Sequence, residues 1–213
     1  MFQIKNFTFN PVQENSYILY NEHKECIIID PGFYYDYERE ELVSFLNNNK
    51  LNPVMLLNTH CHLDHVFGNK FIASEYNLKL KTHPLEEAVL KMAPASGLMF
   101  DLPFDNYTGE IIFLEEGDQV SLREDSLKVI HAPGHSPGSI CFYSEHQQFI
   151  IAGDVLFRNS IGRTDLPGGS HEGLIKNIKE KLLILPKNVI VYPGHGPSTT
   201  IGEELANNPY LQE

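Results

Sequence analysis

Apolar residues along this chain fall into short runs rather than long stripes. YILY at 17–20, CIII at 26–29, VMLL at 54–57, LKVI at 127–130, FIIA at 149–152 and VIVY at 189–192 have strand length and are too short for helices. The second closes on the turn signal Asp30-Pro31-Gly32. Helical spacing appears over 37–49, where Leu42, Phe45 and Leu46 share a face, and a helix is also expected over 65–77. Another is expected over 82–92, with Pro84 near its start and Glu86 and Glu87 in its first turn. The last spans 171–185, with Leu174, Ile175, Ile178, Leu182 and Leu185 on one side, a Ser170 cap and a stop at Pro186. Residues 94–109 carry Gly and Pro without a period and read as an irregular packed surface loop, the alternative being a lid over a pocket. Strands alternating with helices predict an α/β fold, and no repeat of fixed period is present.

A length of 213 residues predicts one domain over 1–213. The opening MFQIKNFTFNPVQENSY has no basic segment leading into an apolar run, and nothing later approaches a membrane span, so the expected location is cytoplasmic. Three cysteines without paired spacing fit reduced thiols. Cys26 and Cys141 sit in apolar runs and are expected in the core. Cys61 lies between His60 and His62, and in an extended segment it points away from both, so it is not expected to be a metal ligand. The net charge of −12, with no Lys/Arg-rich segment, argues against a nucleic-acid partner. Two bound divalent cations would leave about −8.

The chemistry lies behind the runs. VMLL leads into NTHCHLDH, LKVI into HAPGH, FIIA into GD and VIVY into PGH, so each ends in residues of metal-ligand type. Strands packed side by side would bring His60, His62, Asp64, His65, His135, Asp154 and His195 to one sheet edge. Singly, each has an ordinary alternative, such as Asp64 capping the helix at 65–77; together they require four independent coincidences. Seven N and O ligands exceed what one structural zinc needs and point to two adjacent metals with room for water. The expected grouping is His60, His62 and His135 on one ion and Asp64, His65 and His195 on the other, with Asp154 bridging. Zinc is the first expectation for both, with iron or manganese as alternatives. The chemistry implied is hydrolysis by a metal-bound hydroxide. The remaining histidines, His23, His83, His131, His146 and His171, are expected to be surface or core residues.

T-H-x-H-x-D-H at 59–65, His135 in APGHSPGS, Asp154 in IAGD and His195 in YPGHGP resemble the metallo-β-lactamase superfamily, in family order over nearly the whole chain. The resemblance implies a four-layer αββα sandwich with the metal site at the edge where strand ends meet, and it supports the ligand grouping. β-Lactamases proper usually carry arginine at the position of His65, have cysteine for Asp154 in the common zinc type, and are exported. Flavin-linked diiron oxygen reductases put glutamate at His62, and RNA-processing members need a surface for RNA. GRTDLPGG at 162–169 and the ending PGHGPSTTIGEELANNPYL look like the short glyoxalase II-like branch, which implies a small thioester substrate such as S-lactoylglutathione. Only 18 residues follow His195, so the C-terminal helical domain of longer glyoxalase II enzymes is expected to be absent. Persulfide dioxygenases of the same branch share T-H-C-H-x-D-H and GRTD, and imply one iron on His60, His135 and Asp154. A non-catalytic metal-binding module is the most distant reading. In the hydrolase reading Asp64 hydrogen-bonds the attacking water and Asp154 fixes the metals relative to each other. Arg163 either anchors a substrate carboxylate or pairs with Asp165.

Overall fold

The computed structural model describes residues 1–212. In chain order the elements are β1 (Gln3–Phe9), β2 (Glu14–Tyr20), β3 (Glu25–Ile29), α1 (Asp36–Asn49), β4 (Asn52–Leu57), α2 (Leu63–Val66), α3 (Asn69–Glu75), β5 (Leu80–Thr82), α4 (Glu86–Met99) and β6 (Ile111–Phe113). The second half holds β7 (Gln119–Leu122), β8 (Asp125–His131), β9 (Ile140–Ser144), β10 (Phe149–Gly153), β11 (Leu156–Phe157), β12 (Ser160–Ile161), α5 (His171–Asn177), β13 (Ile190–Pro193), β14 (Thr199–Thr200) and α6 (Ile201–Asn207). A π-helical turn, Ile178–Leu182, extends α5.

Two six-stranded sheets result, one in the order β1-β2-β3-β4-β5-β6 and the other β14-β13-β10-β9-β8-β7. Alternation along each strand divides the apolar residues between two faces. Tyr17, Leu19, Ile27, Ile29 and Leu57 of the first sheet pack on Leu127, Val129, Ile140, Phe142 and Ile151 of the second, forming the core between the sheets. The opposite face of the first sheet, with Ile18, Ile28 and Leu56, is covered by Leu42, Leu46, Ile72 and Leu90 of the helices. The opposite face of the second, with Cys141, Ile150 and Ala152, is covered by Leu174, Ile178, Leu182 and Ile201. Helix, sheet, sheet and helix therefore stack in four layers, as the sequence resemblance implies. Among the described residues no helix is long and apolar enough to cross a membrane.

Two expectations need correction. The helix over 65–77 is interrupted: the Gly68 N–H is drawn to Pro31 O at 2.8 Å, while Asp64 O, its helical partner by position, accepts from Asn10 Nδ2 at 3.1 Å. Asp64 consequently lies in the first turn of α2 rather than capping the helix. The irregular segment 94–109 is helical to Met99, because α4 continues through Pro94. Proline has no N–H for Leu90 O, and the Asn106 side-chain amide donates to that carbonyl instead, at 2.7 Å. Beyond α4 the chain folds back on itself, with Phe104 edge-on to Phe67.

β3 and β4 are parallel, with Ile29 beside Leu57, as are β10 and β13, with Gly153 beside Pro193. β8 is antiparallel to β9, and β9 to β10, so β8 ends at the same edge as β10. Ile140 N–H to Thr59 O at 2.9 Å and Asn15 N–H to Gly194 O at 2.7 Å tie the two sheets together there.

Candidate metal centre

All seven expected side chains meet at this edge. His60 follows β4, Asp64 and His65 sit in the short α2, His135 lies beyond β8, Asp154 directly follows β10 and His195 lies two residues beyond β13. Close backbone approach makes glycine necessary at two of these joints. Gly153 has φ +50°, and a Cβ there would stand 2.4 Å from Thr59 Oγ1; a Cβ on Gly194 would stand 2.1 Å from Asp154 Oδ1.

The side chains form two groups. Ligand-type atoms of His60, His62 and His135 lie within 4.8 Å of one another, as do those of Asp64, His65 and His195. In the first, His135 Nε2 is 2.8 Å from His62 Nδ1 and 3.1 Å from His60 Nε2. In the second, Asp64 Oδ2 is 3.1 Å from His195 Nε2 and 3.6 Å from His65 Nε2. Asp154 faces both groups. Its Oδ1 is 3.5 Å from His65 Nε2, and its Oδ2 is 3.5 Å from His135 Nε2 and 3.6 Å from His195 Nε2.

These separations suit metal ions, since two ligand atoms on a tetrahedral zinc with Zn–N near 2.0 Å stand about 3.3 Å apart. His65 Nε2 and Asp154 Oδ1 are also buried without a hydrogen-bond partner, an arrangement that a cation between them would satisfy. Outer hydrogen bonds aim the rings inward. His135 Nδ1–H donates to Arg163 O at 2.8 Å, His195 Nδ1–H to Val12 O at 3.2 Å and His65 Nδ1–H to Asp30 Oδ2 at 3.1 Å, so that Nε2 of each ring is the atom turned to the centre. His60 Nδ1 meets Thr59 Oγ1 at 3.1 Å.

Protonation divides along the same line. Burial, then the neighbouring rings, holds His60 well below the usual histidine range; burial and His135 bring His62 down to about 4; and burial lowers His135. His65 goes the other way: burial pulls it down, but the carboxylates of Asp64 and Asp154 outweigh burial and raise it well above its ordinary value. Burial would raise Asp154, yet His65, His135 and His195 lower it. The first group therefore holds neutral imidazoles, and the second holds positive charge among carboxylates when no metal is present.

Three buried residues support the centre without being expected from sequence. Asp30 accepts from Thr59 N at 2.8 Å, Thr59 Oγ1 at 2.6 Å, Asn58 Nδ2 at 3.0 Å and His65, so its oxygens are committed to donors. It ends the CIII run just as ligand-type residues end the other runs, a signal obscured by the turn reading of Asp-Pro-Gly. Glu14 is fully buried, with its Oε1 3.8 Å from His65 Nδ1. Glu86 is also fully buried and binds the loops on both sides of the first group; its position in a helix's first turn gave no local sign of that task.

Arg163 is exposed and forms two parallel bonds to Asp165, Nε to Oδ1 and Nη2 to Oδ2, both 2.7 Å, which is the pairing alternative. Cys61 is buried, with its Sγ 4.0 Å from Thr82 Oγ1 and away from the centre. His83 and His131 stack with ring centroids 4.0 Å apart.

The sequence model of the metallo-beta-lactamase superfamily matches residues 9–195. Hydroxyacylglutathione hydrolase GloC of Haemophilus influenzae is 35% identical over 201 residues, covering 93% of this chain and 93% of its own. A solved structure of BLEG-1 B3 metallo-beta-lactamase aligns with a TM-score of 0.91 and 37% identity over 99% of this chain and 100% of that one. TTHA1623 in a di-iron-bound form gives 0.88 and 36% over 97% and 100%.

Proposed function

The chain belongs to the metallo-beta-lactamase superfamily, and from that premise we propose that it is a metal-dependent hydrolase of a thioester such as S-lactoylglutathione. The observation that carries the reading is Asp154, one carboxylate facing two complete groups of ligand-type side chains. His60, His62 and His135 would hold one ion and Asp64, His65 and His195 the other, with Asp154 shared. Zinc suits these N and O donors, and the di-iron relative supports iron as the alternative. When bound, two such ions lower the pKa of water and polarise a carbonyl.

The protein's own residues supply the remaining functions. His62, Asp64 and His195 keep partial exposure where His60, His65, His135 and Asp154 are buried, so substrate is proposed to approach from their side. Asp64 Oδ2, 3.1 Å from His195 Nε2, would accept a hydrogen bond from the attacking water. A leaving thiolate, from a thiol of pKa about 8.5, needs little acid assistance, which agrees with the lack of a separate general acid among the seven residues. A charge of −12 supports a small-molecule substrate over nucleic acid, and GloC supports a glutathione-linked one.

His60, His135 and Asp154 also present a two-histidine, one-carboxylate face, which favours a mononuclear iron persulfide dioxygenase as the second reading. Asp64 and His65 belong to the motif that both branches share, so metal count and activity, rather than the ligand set, separate the two readings. Elemental analysis of protein purified without added metal, with parallel assays of S-lactoylglutathione hydrolysis, glutathione-persulfide oxygen uptake and β-lactam hydrolysis, separates the possibilities. Near two metals per chain with thioester hydrolysis is expected. One iron per chain with oxygen uptake, or turnover of the β-lactam alone, would overturn the proposal.

A further inference from the structure

Glu86 stands at the start of α4, outside all four ligand-bearing segments, and its side chain is fully buried. Its carboxylate accepts from Cys61 N at 2.7 Å, between His60 and His62, and from Gly138 N at 2.7 Å and Ser136 Oγ, on the loop of His135. None of these donors belongs to α4, so the acid is not acting as a helix cap. Its bonds join the two loops that carry His60, His62 and His135. The other group has different supports. Asp30 holds His65, Asn10 donates to Asp64 O, and Asn15 Nδ2 donates to Pro193 O at 3.1 Å and Gly196 O at 2.8 Å on either side of His195. Glu86 makes none of these contacts.

We propose that Glu86 is a positioning residue for one half of the centre: it sets metal affinity at His60, His62 and His135 while leaving the Asp64, His65 and His195 half to its own supports. This rests on the dinuclear reading above. The chemistry requires an acid here, because three donors converge and a carboxylate offers only acceptors. Glutamine has nearly the same shape but would turn an NH2 group towards one of the donors, so one loop would lose its tie. Ile140 N–H to Thr59 O still links the strands behind the loops, so the variant is expected to loosen the triad with the sandwich intact.

The test is zinc titration of metal-free wild type, Glu86→Gln and the milder Ser136→Ala, using chelator competition to resolve two binding events and circular dichroism to follow folding. In Glu86→Gln one event is expected to weaken by roughly 10–100-fold, as for other outer partners of metal ligands, and the other by less than about twofold. Ser136→Ala should shift the same event by a smaller factor. If both events hold their wild-type affinities in folded Glu86→Gln, or weaken together, the inference is wrong. If Glu86→Gln does not fold, Ser136→Ala decides: an unchanged pair of events rejects the inference. A wild type that binds a single zinc removes the dinuclear reading and this inference with it, whereas two wild-type events unaltered in the variants remove only the latter.

Discussion

The two nitrogens of His135 have different tasks. Nδ1 is spent on Arg163 O, and Nε2 stands 2.8 Å from His62 Nδ1 and 3.1 Å from His60 Nε2. His135→Ala empties one corner of the first group, and Asp64→Asn removes an ionised oxygen 3.1 Å from His195 while keeping the shape. Each is expected to lower kcat for thioester hydrolysis by at least about 100-fold, the scale on which positioned acid–base and metal-ligand groups act, with an unchanged circular dichroism spectrum. Near-normal turnover by either folded variant would contradict the assigned roles. Arg163 differs: its guanidinium is committed to Asp165 on the surface, while His135 uses only its backbone carbonyl. Arg163→Ala should therefore change KM for anionic and neutral thioesters equally and by no more than roughly twofold, as exposed pairs contribute little. A rise in KM confined to the anionic substrate would restore the carboxylate-anchor role. The seven ligand-type residues were legible because each follows an apolar run. Asp30 and Glu86 were not, because their side-chain partners lie 25 or more positions away, and the local sequence made Glu86 resemble an ordinary first-turn acid.

At the scale of elements, periodicity located strands and helices well wherever one face is buried and the other is not. α1 begins one residue from its expected start at 37 and keeps Leu42 and Leu46 in the core, and Ser170 Oγ caps α5 by accepting from Gly173 N at 3.1 Å. Errors arose where a distant group took a local backbone bond. Pro31 O captures Gly68 N–H and splits the helix after Val66, and Asn106 satisfies Leu90 O and lets α4 pass Pro94. Neither partner can be read from a window of sequence. The second case can be tested directly. Asn106→Ala leaves the Leu90 carbonyl without its substitute donor, a loss expected to cost about 1–3 kcal/mol in denaturant unfolding. Thioester turnover should be retained, because α4's first turn, with Glu86, lies a full turn before Leu90. Unaltered stability would show that the carbonyl finds another donor and that Asn106 is dispensable to the helix.

For the whole molecule, the centre joins two sheets whose other contacts are mainly apolar, so its charge state affects the stability of the entire sandwich. Without metal, two sets of histidines act in opposite directions. His62, lowered to about 4, and His60, held well below its usual range by burial, are neutral when folded, so the unfolded chain binds more protons below pH 6.5 and stability falls on acidification. His65 is raised against burial by Asp64 and Asp154, so its contribution is complete below about 6.5 and is lost as pH rises towards its folded value. The metal-free protein should thus show a Tm that declines on both sides of near-neutral pH. Zinc replaces the His65 proton, so binding at pH 7 should release protons, visible as a dependence of the titration heat on the buffer's ionisation enthalpy. The Tm gain from zinc should accordingly grow between pH 6.5 and 8, because metal competes with a proton that becomes easier to remove while the metal-free form loses stability. A metal-free Tm that climbs steadily through that interval, or zinc binding with no proton release, would mean that His65 is neutral in the free protein. The carboxylates around it would then be compensated by some other charge.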